Sequence, residues 1–341
     1  MKLNKKNIIA ITISILFLFL TFKDIDIAKL ISTFAQFNTK LFLVFIPIFL
    51  ISMFLRGLRW KYLLKNTKEI HPVELGEIFS AGAALNIYLP ARAGDLYRAY
   101  FVGEKHEKPK LEILASVIAE RIIDGITVLG ILLSATLLFY KKQWMFELSA
   151  MTALIFIGSS IAIYLVIKYN KSDQIFRTIQ STFEKLPQKI ASNCLNIINK
   201  LEHWTKTFIK GFENILILKN LLSAGALSII IWIMECIMIY IIIVGFNLYL
   251  PFSVSLMIVS FVALASMIPS TSIYIGPYQY AFILALGIYN IDKSSALAIA
   301  FTLQTITLII LSIIFINFVI RNNFQVNQLK KGDITKGLVN E

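Results

Sequence analysis

Arginines and carboxylates interrupt this otherwise apolar chain at spacings that suit anion binding. Arg56 and Arg59 lie one helical turn apart, just before Trp60. A second group runs Asn86-Ile-Tyr-Leu-Pro90-Ala-Arg92-Ala-Gly94-Asp95-Leu-Tyr-Arg98. A third is Glu120-Arg121-Ile-Ile-Asp124, and Glu235 stands alone in a later apolar run. A guanidinium is a planar fork of donors matched to phosphate. Arg92 and Arg98 flank a Pro/Gly break and read as headgroup ligands; as plain residues they would be interfacial anchors. Asp95 opens the helix after the break, where an acid caps free N–H groups, and substrate contact is its other reading. Glu120, Arg121 and Asp124 are three and four apart and share one helix flank. Arg121 is expected on a lipid phosphate, with Glu120 or Asp124 holding it or carrying a proton. The plain alternative is an ion cluster that knits spans together. Glu235 reads as a protonated acid bonded to a neighbouring helix, or as a proton carrier. Arg56 and Arg59 read as collectors of inner-leaflet headgroups on a helical extension, or as anchors there.

The setting gives these residues weight. The chain has 341 residues, of which 57% are hydrophobic and 16% charged. Soluble domains average about 25% charged residues, so this is an all-α polytopic membrane protein. A charge within the bilayer costs about 2.5–3.5 kcal/mol at a helix centre on insertion scales. Broken helix at membrane depth persists only where it is buried in protein or lines a cavity. The net charge of +13 comes from bases beside apolar runs, the positive-inside pattern. Anionic lipid, not nucleic acid, is therefore the expected partner. His71, His106, His203, Cys194 and Cys236 are scattered, and no HExxH, CxxC, Walker or GxGxxG pattern occurs. No metal or cofactor is expected.

Spans of roughly 20 residues organise the chain into about six crossings and two re-entrant hairpins. The first half, residues 1–167, holds spans Ile8–Phe22, Leu41–Leu55, Ile113–Tyr140 and Met145–Ile167, with a hairpin over residues 76–102. The first span is read as uncleaved, because no small-residue cleavage site follows it. Lys141 and Lys142 fall in an outer turn, against the charge rule. Residues 168–219 form a cytoplasmic linker. An apolar stripe from Ile190 through Ile197, Leu201, Trp204 and Phe208 to Ile215 opposes Lys189, Lys200, Lys206 and Lys210. That pattern marks an amphipathic helix that lies on the membrane surface or docks on the spans. The second half, residues 220–321, holds spans Leu221–Val244 and Ser295–Ile320 and a hairpin over residues 252–289. Residues 322–341 are a cytoplasmic tail.

Counting orientation, the first hairpin enters from the inside and the second from the outside. Each is broken Pro-first with a Gly behind: Pro90 then Gly94, and Pro269 then Gly276. Paired interruptions in corresponding places point to a transporter site at an inverted-repeat interface. There, half-helix N-termini would aim positive dipole ends at an anion.

In combination, Arg56-x-x-Arg59-Trp60, Asn86-x-x-x-Pro90-x-Arg92-x-Gly94-Asp95-x-x-Arg98 and Glu120-Arg121-x-x-Asp124 resemble the lysylphosphatidylglycerol synthase transmembrane region, or flippase-like domain, family. Trp232-x-x-Glu235, the Pro269…Gly276 break and Phe208-x-x-Gly211-Phe212 fit its second half and linker. The second break departs from the family's Gly-rich form, being Pro269-Ser-Thr-Ser-Ile-Tyr-Ile-Gly276-Pro277. The full synthases carry a soluble aminoacyl-transferase domain after this region. Only residues 322–341 follow the last span here, so lipid aminoacylation is not expected. The resemblance implies movement of a lipid or lipid-linked headgroup between membrane leaflets, and no enzymatic step is expected; the bases flanking the first and last spans place both termini on the cytoplasmic side of the cell membrane. Two other functions fit. Asp24-Ile25-Asp26 is a DxD that a glycosyltransferase using a lipid-linked sugar would need. A non-catalytic subunit, as a homo-oligomer or with a partner enzyme, is the third.

Overall fold

The computed structural model describes residues 12, 16–23, 25–64, 69–89, 92–169, 172–183, 188–266 and 275–322. It is helical, with no strand among the described residues. A short helix α1 (Ile27–Ala35) precedes α2 (Phe42–Leu63), which a single 3-10 turn extends back to Thr39. Then come α3 (Pro72–Tyr88), α4 (Ala93–Lys105), α5 (Lys110–Ala135, continued by a π turn to Tyr140) and α6 (Gln143–Tyr169). The linker is α7 (Ser172–Phe183) and α8 (Gln188–Glu213). The chain closes with α9 (Leu218–Gly245), α10 (Ser253–Ala265), α11 (Pro277–Gly287) and α12 (Lys293–Arg321).

Five of these helices are long and apolar enough to cross a bilayer: α2 with its leading turn, α5, α6, α9 and α12. The chain is a multi-pass membrane protein. Of the expected first span, Ile8–Phe22, residues 12 and 16–22 are described, and these are helical. By contrast α3, α4, α10 and α11 have 17, 13, 13 and 11 residues. At 1.5 Å per residue that is about 16–26 Å, too short for a hydrocarbon core of about 30 Å.

These short helices pair as two hairpins that open on opposite faces. On one face, Glu74 at the start of α3 accepts from Lys105 Nζ at the end of α4 (2.9 Å). Arg321 and Asn322, ending α12, reach Glu77 and Lys105 there. On the other face, Tyr140 ends α5 beside Ser253, which starts α10, and Tyr289, just past α11. The Asn38 N–H donates to Gly245 O (2.8 Å) on that second face, tying the approach to α2 to the end of α9. We call the first the basic face, since Lys61, Lys105, Lys110, Lys210 and Arg321 gather there. Lys141, at a left-handed corner between α5 and α6, sits on the far face with Lys142, as the charge rule disfavours.

Packing repeats between halves. Neighbours α2–α3, α3–α4 and α4–α5 touch in the first half as α9–α10, α10–α11 and α11–α12 do in the second. Helix α3 packs on α12 across the halves, and α10 packs on α5 in the matching place. Glycine allows the closest approaches. A Cβ on Gly94 of α4 would fall inside the carbonyl oxygen of Gly82 on α3, so the hairpin legs close only without side chains there.

The linker docks on the spans. Gly211 of α8 lies against Ala115 and Glu112 of α5, and Phe212 and Ile215 are buried. Asn214 donates to the carbonyls of Tyr62 (3.1 Å) and Leu64 (2.9 Å), fastening the linker to the end of α2. The upstream helix α7 is described through Phe183.

Candidate functional site

The two hairpins meet where the start of α4 reaches the end of α10. Arg92 precedes α4 with φ 51° and ψ 42°, a left-handed conformation that is uncommon for a side chain of this size. The bend carries its guanidinium to the second hairpin. There Nη2 donates to Ser266 O at 3.0 Å and Ser266 Oγ at 3.2 Å. Pro90 and Pro269, expected to make the two elbows, lie outside the described residues. Gly276 does begin α11, with φ 103°, a conformation suited to glycine. Thr21 Oγ1 donates to its carbonyl at 3.3 Å.

Behind the first tip lies a network of charges from α2, α4 and α5. Arg59 has no exposed surface. It pairs with Asp124, lies 3.4 Å from Glu120 and donates to Ser228 Oγ of α9 at 2.7 Å. Arg98 pairs with Glu120 (3.3 Å) and Asp95 (3.1 Å). Its guanidinium lies over the rings of Phe79 (4.6 Å) and Trp60 (5.0 Å), where ring quadrupoles attract a cation. Trp232 of α9 donates to Asp124 at 2.9 Å. Buried charge is tolerated because each carboxylate is paired.

Several sequence expectations change here. Arg56 and Arg59 do lie on the expected helical extension, but neither is presented at a surface. Helix α2 runs on unbroken to Leu63 and buries both. Asp95 does not cap α4. The side chain of Asn86 does so instead, accepting from the Asp95 N–H at 3.2 Å. The Asp95 carboxylate takes Arg121 (2.7 Å to Nη2), Arg98 and the Asn86 amide (3.0 Å). Arg121 is thus held by Asp95, with Asp124 4.0 Å away, while Glu120 turns to Arg59 and Arg98. No sequence signal marked Ser228 or Ser266 as polar partners.

A cavity of about 320 Å³ opens between the halves. Its walls are apolar, with Phe45, Phe49 and Phe79 on one side and Met238, Val259 and Leu303 on the other. Its polar end carries Arg56, Arg92, Arg121, Asn86 and Glu235. Tyr278, in the first turn of α11, also lines it. Arg56 is ion-paired with Glu235, while its Nε is buried without a partner among the described residues. A second recess of about 100 Å³ shares Arg92, Arg121, Trp232 and Ser266 and reaches Asp124. Of the sequence-nominated residues, Arg56, Asn86, Arg92, Arg121 and Glu235 line the larger space. Arg59, Arg98, Asp95 and Glu120 form its support, and Gly94 and Gly276 shape the turns. The space is amphipathic, with apolar walls and several guanidiniums among its lining side chains.

The Lysylphosphatidylglycerol synthase TM region family matches residues 7–314 of the chain. A UPF0104 membrane protein of Methanocaldococcus jannaschii is 26% identical over 220 residues, 63% of this chain and 84% of that one. The glycosyltransferase AglD of Haloferax volcanii is 32% identical over 109 residues, which are 31% of this chain and 17% of that protein. No solved structure matches.

Proposed function

The chain belongs to the Lysylphosphatidylglycerol synthase TM region family, and from that premise we propose that it moves an anionic phospholipid, or a lipid-linked anionic headgroup, between leaflets of the cell membrane. The reading makes no covalent bond. The basic face is cytoplasmic in this reading, following the bias of Lys and Arg toward that side, and both termini lie there. One observation carries the proposal. Two half-crossing hairpins open on opposite faces, and Arg92 of one meets Ser266 of the other beside an Arg-rich cavity with apolar walls. In this reading each hairpin serves one leaflet and the cavity between them is reached alternately from the two sides, as in transporters with inverted repeats.

The test is movement of a fluorescent anionic phospholipid across vesicles carrying the purified protein. Wild type should accelerate transfer, and Arg92→Ala with Arg121→Ala should return it to the rate of empty vesicles while the protein stays inserted. Transfer by wild type no faster than in empty vesicles would reject the function.

Glycosyl transfer is the second reading, favoured by the name of the partial Haloferax relative. Its sequence hook is weaker in the fold. The Asp26 carboxylate caps α1, accepting from the Lys29 N–H at 2.9 Å, and Asp24 lies outside the described residues. Metal-dependent sugar transfer lost in Asp24→Asn would favour the enzyme over the transporter.

A further inference from the structure

The carboxylates of the charge network are not held alike. Asp95 accepts from Arg98, Arg121 and Asn86, Glu120 pairs with Arg59 and Arg98, and Asp124 accepts from Arg59 and Trp232. Glu235 has one side-chain partner among the described residues, Arg56. Its side chain is 27% exposed, against 0% for Glu120 and 9% for Asp124. It faces the cavity from α9, and Arg56 faces it from α2. The pair therefore bridges the halves at the place an anionic headgroup would occupy.

The charges facing Glu235 are few. Helix α2 presents Arg56 and, behind it, Arg59. Helix α5 presents Arg121 and Asp124, with Glu120 buried beyond, and the first tip presents Arg92. Tyr278 comes from α11, and Cys236 is the neighbour on α9 itself. Helix α10 has no ionisable residue, and α12 has them only at its ends, Lys293 and Arg321.

We propose that Glu235 takes up one proton when an anionic lipid binds. The Arg56 guanidinium turns its N–H from the Glu235 carboxylate to a phosphate oxygen. The released carboxylate takes one proton from the bulk buffer, becomes neutral, and no longer repels the phosphate in the low-dielectric cavity. Charge balances: one lipid anion and one proton arrive together, so a proton gradient can drive the lipid. This inference rests on the lipid reading of the cavity.

The probe is a short-chain phosphatidylglycerol, whose phosphodiester keeps one charge from pH 5.5 to 8.5. Binding to the whole protein in detergent is followed by tryptophan fluorescence, since Trp232 lines the cavity. Affinity should fall as pH rises, by at most about tenfold per unit. Glu235→Gln should bind with an affinity independent of pH, close to the wild-type value in acid. A separate measurement in weak buffer should record uptake of about one proton per wild-type lipid bound. It decides the matter even if Glu235→Gln fails to fold. Saturable wild-type binding without proton uptake overturns the Glu235 exchange and leaves the lipid site standing. Persistent pH dependence in Glu235→Gln also overturns it, placing the proton elsewhere. No saturable binding at any pH removes both.

Discussion

The guanidinium of Arg92 donates to the backbone carbonyl of Ser266 across 3.0 Å, joining hairpins that open on opposite faces of the bundle. Arg92 has no carboxylate partner among the described residues. Arg56, Arg59, Arg98 and Arg121 each have at least one. The meeting point of the halves thus carries a cation whose charge is met by dipoles, which under the proposed function leaves it for a phosphate.

Arg92→Ala should therefore weaken retention of an anionic lipid by roughly 10- to 100-fold, since a hydrogen bond to a charged group contributes about 1.5–3 kcal/mol. Ser266→Ala leaves the carbonyl acceptor in place and should change retention less than about threefold. Native mass spectrometry of the two variants measures both. Equal losses would mean that Arg92 serves only to join the tips.

Gly94→Ala should strain the first hairpin, because the added Cβ would overlap the carbonyl of Gly82. Overpacking of this kind costs about 1–3 kcal/mol. Gly130→Ala on α5 meets nothing within 4 Å among the described residues and should be neutral or stabilising by up to about 1 kcal/mol, because Ala is the better helix former. Thermal unfolding in detergent should separate the two. Similar melting temperatures would show that the legs can spread.

Arg59→Met should destabilise by about 3–5 kcal/mol, because it leaves Asp124 and Glu120 buried with a cation removed. Adding Asp124→Asn should recover part of that loss, because the buried charge goes while an acceptor for Trp232 remains. Denaturation of both variants gives the difference. A single substitution with wild-type stability would mean that water reaches this network.

The expected elbows Pro90 and Pro269 lie outside the described residues. That the chain is all-α with several long apolar helices could be read from it, because apolar length is a local signal. The charge network could not. A helix ending Arg56-x-x-Arg59-Trp60 looks the same whether its end meets water or three other helices. What buries Arg59 is Glu120 and Asp124 on α5 and Ser228 on α9, far along the sequence. Asp95 shows the same limit: its place at a helix start suggested a cap, but Asn86 on the opposite leg does that work and frees the carboxylate for two arginines.

Acid should loosen the basic face through Glu74, which lies outside the spans. Burial alone would raise its carboxyl. The hydrogen bond and charge of Lys105, with His106 behind, more than reverse this and hold it below the ordinary 4.5. A depressed carboxyl stabilises the fold fully above its unfolded value and loses that contribution as pH falls through the folded one. Melting temperature should thus drop from about pH 4.5 downward as Glu74 releases Lys105 and the ends of the first hairpin part. Glu74 is partly exposed, so the effect is a modest one, screened by salt. Glu74→Gln should flatten that part of the profile and lower stability at neutral pH. An unchanged acid limb in Glu74→Gln would assign the loss to other carboxylates.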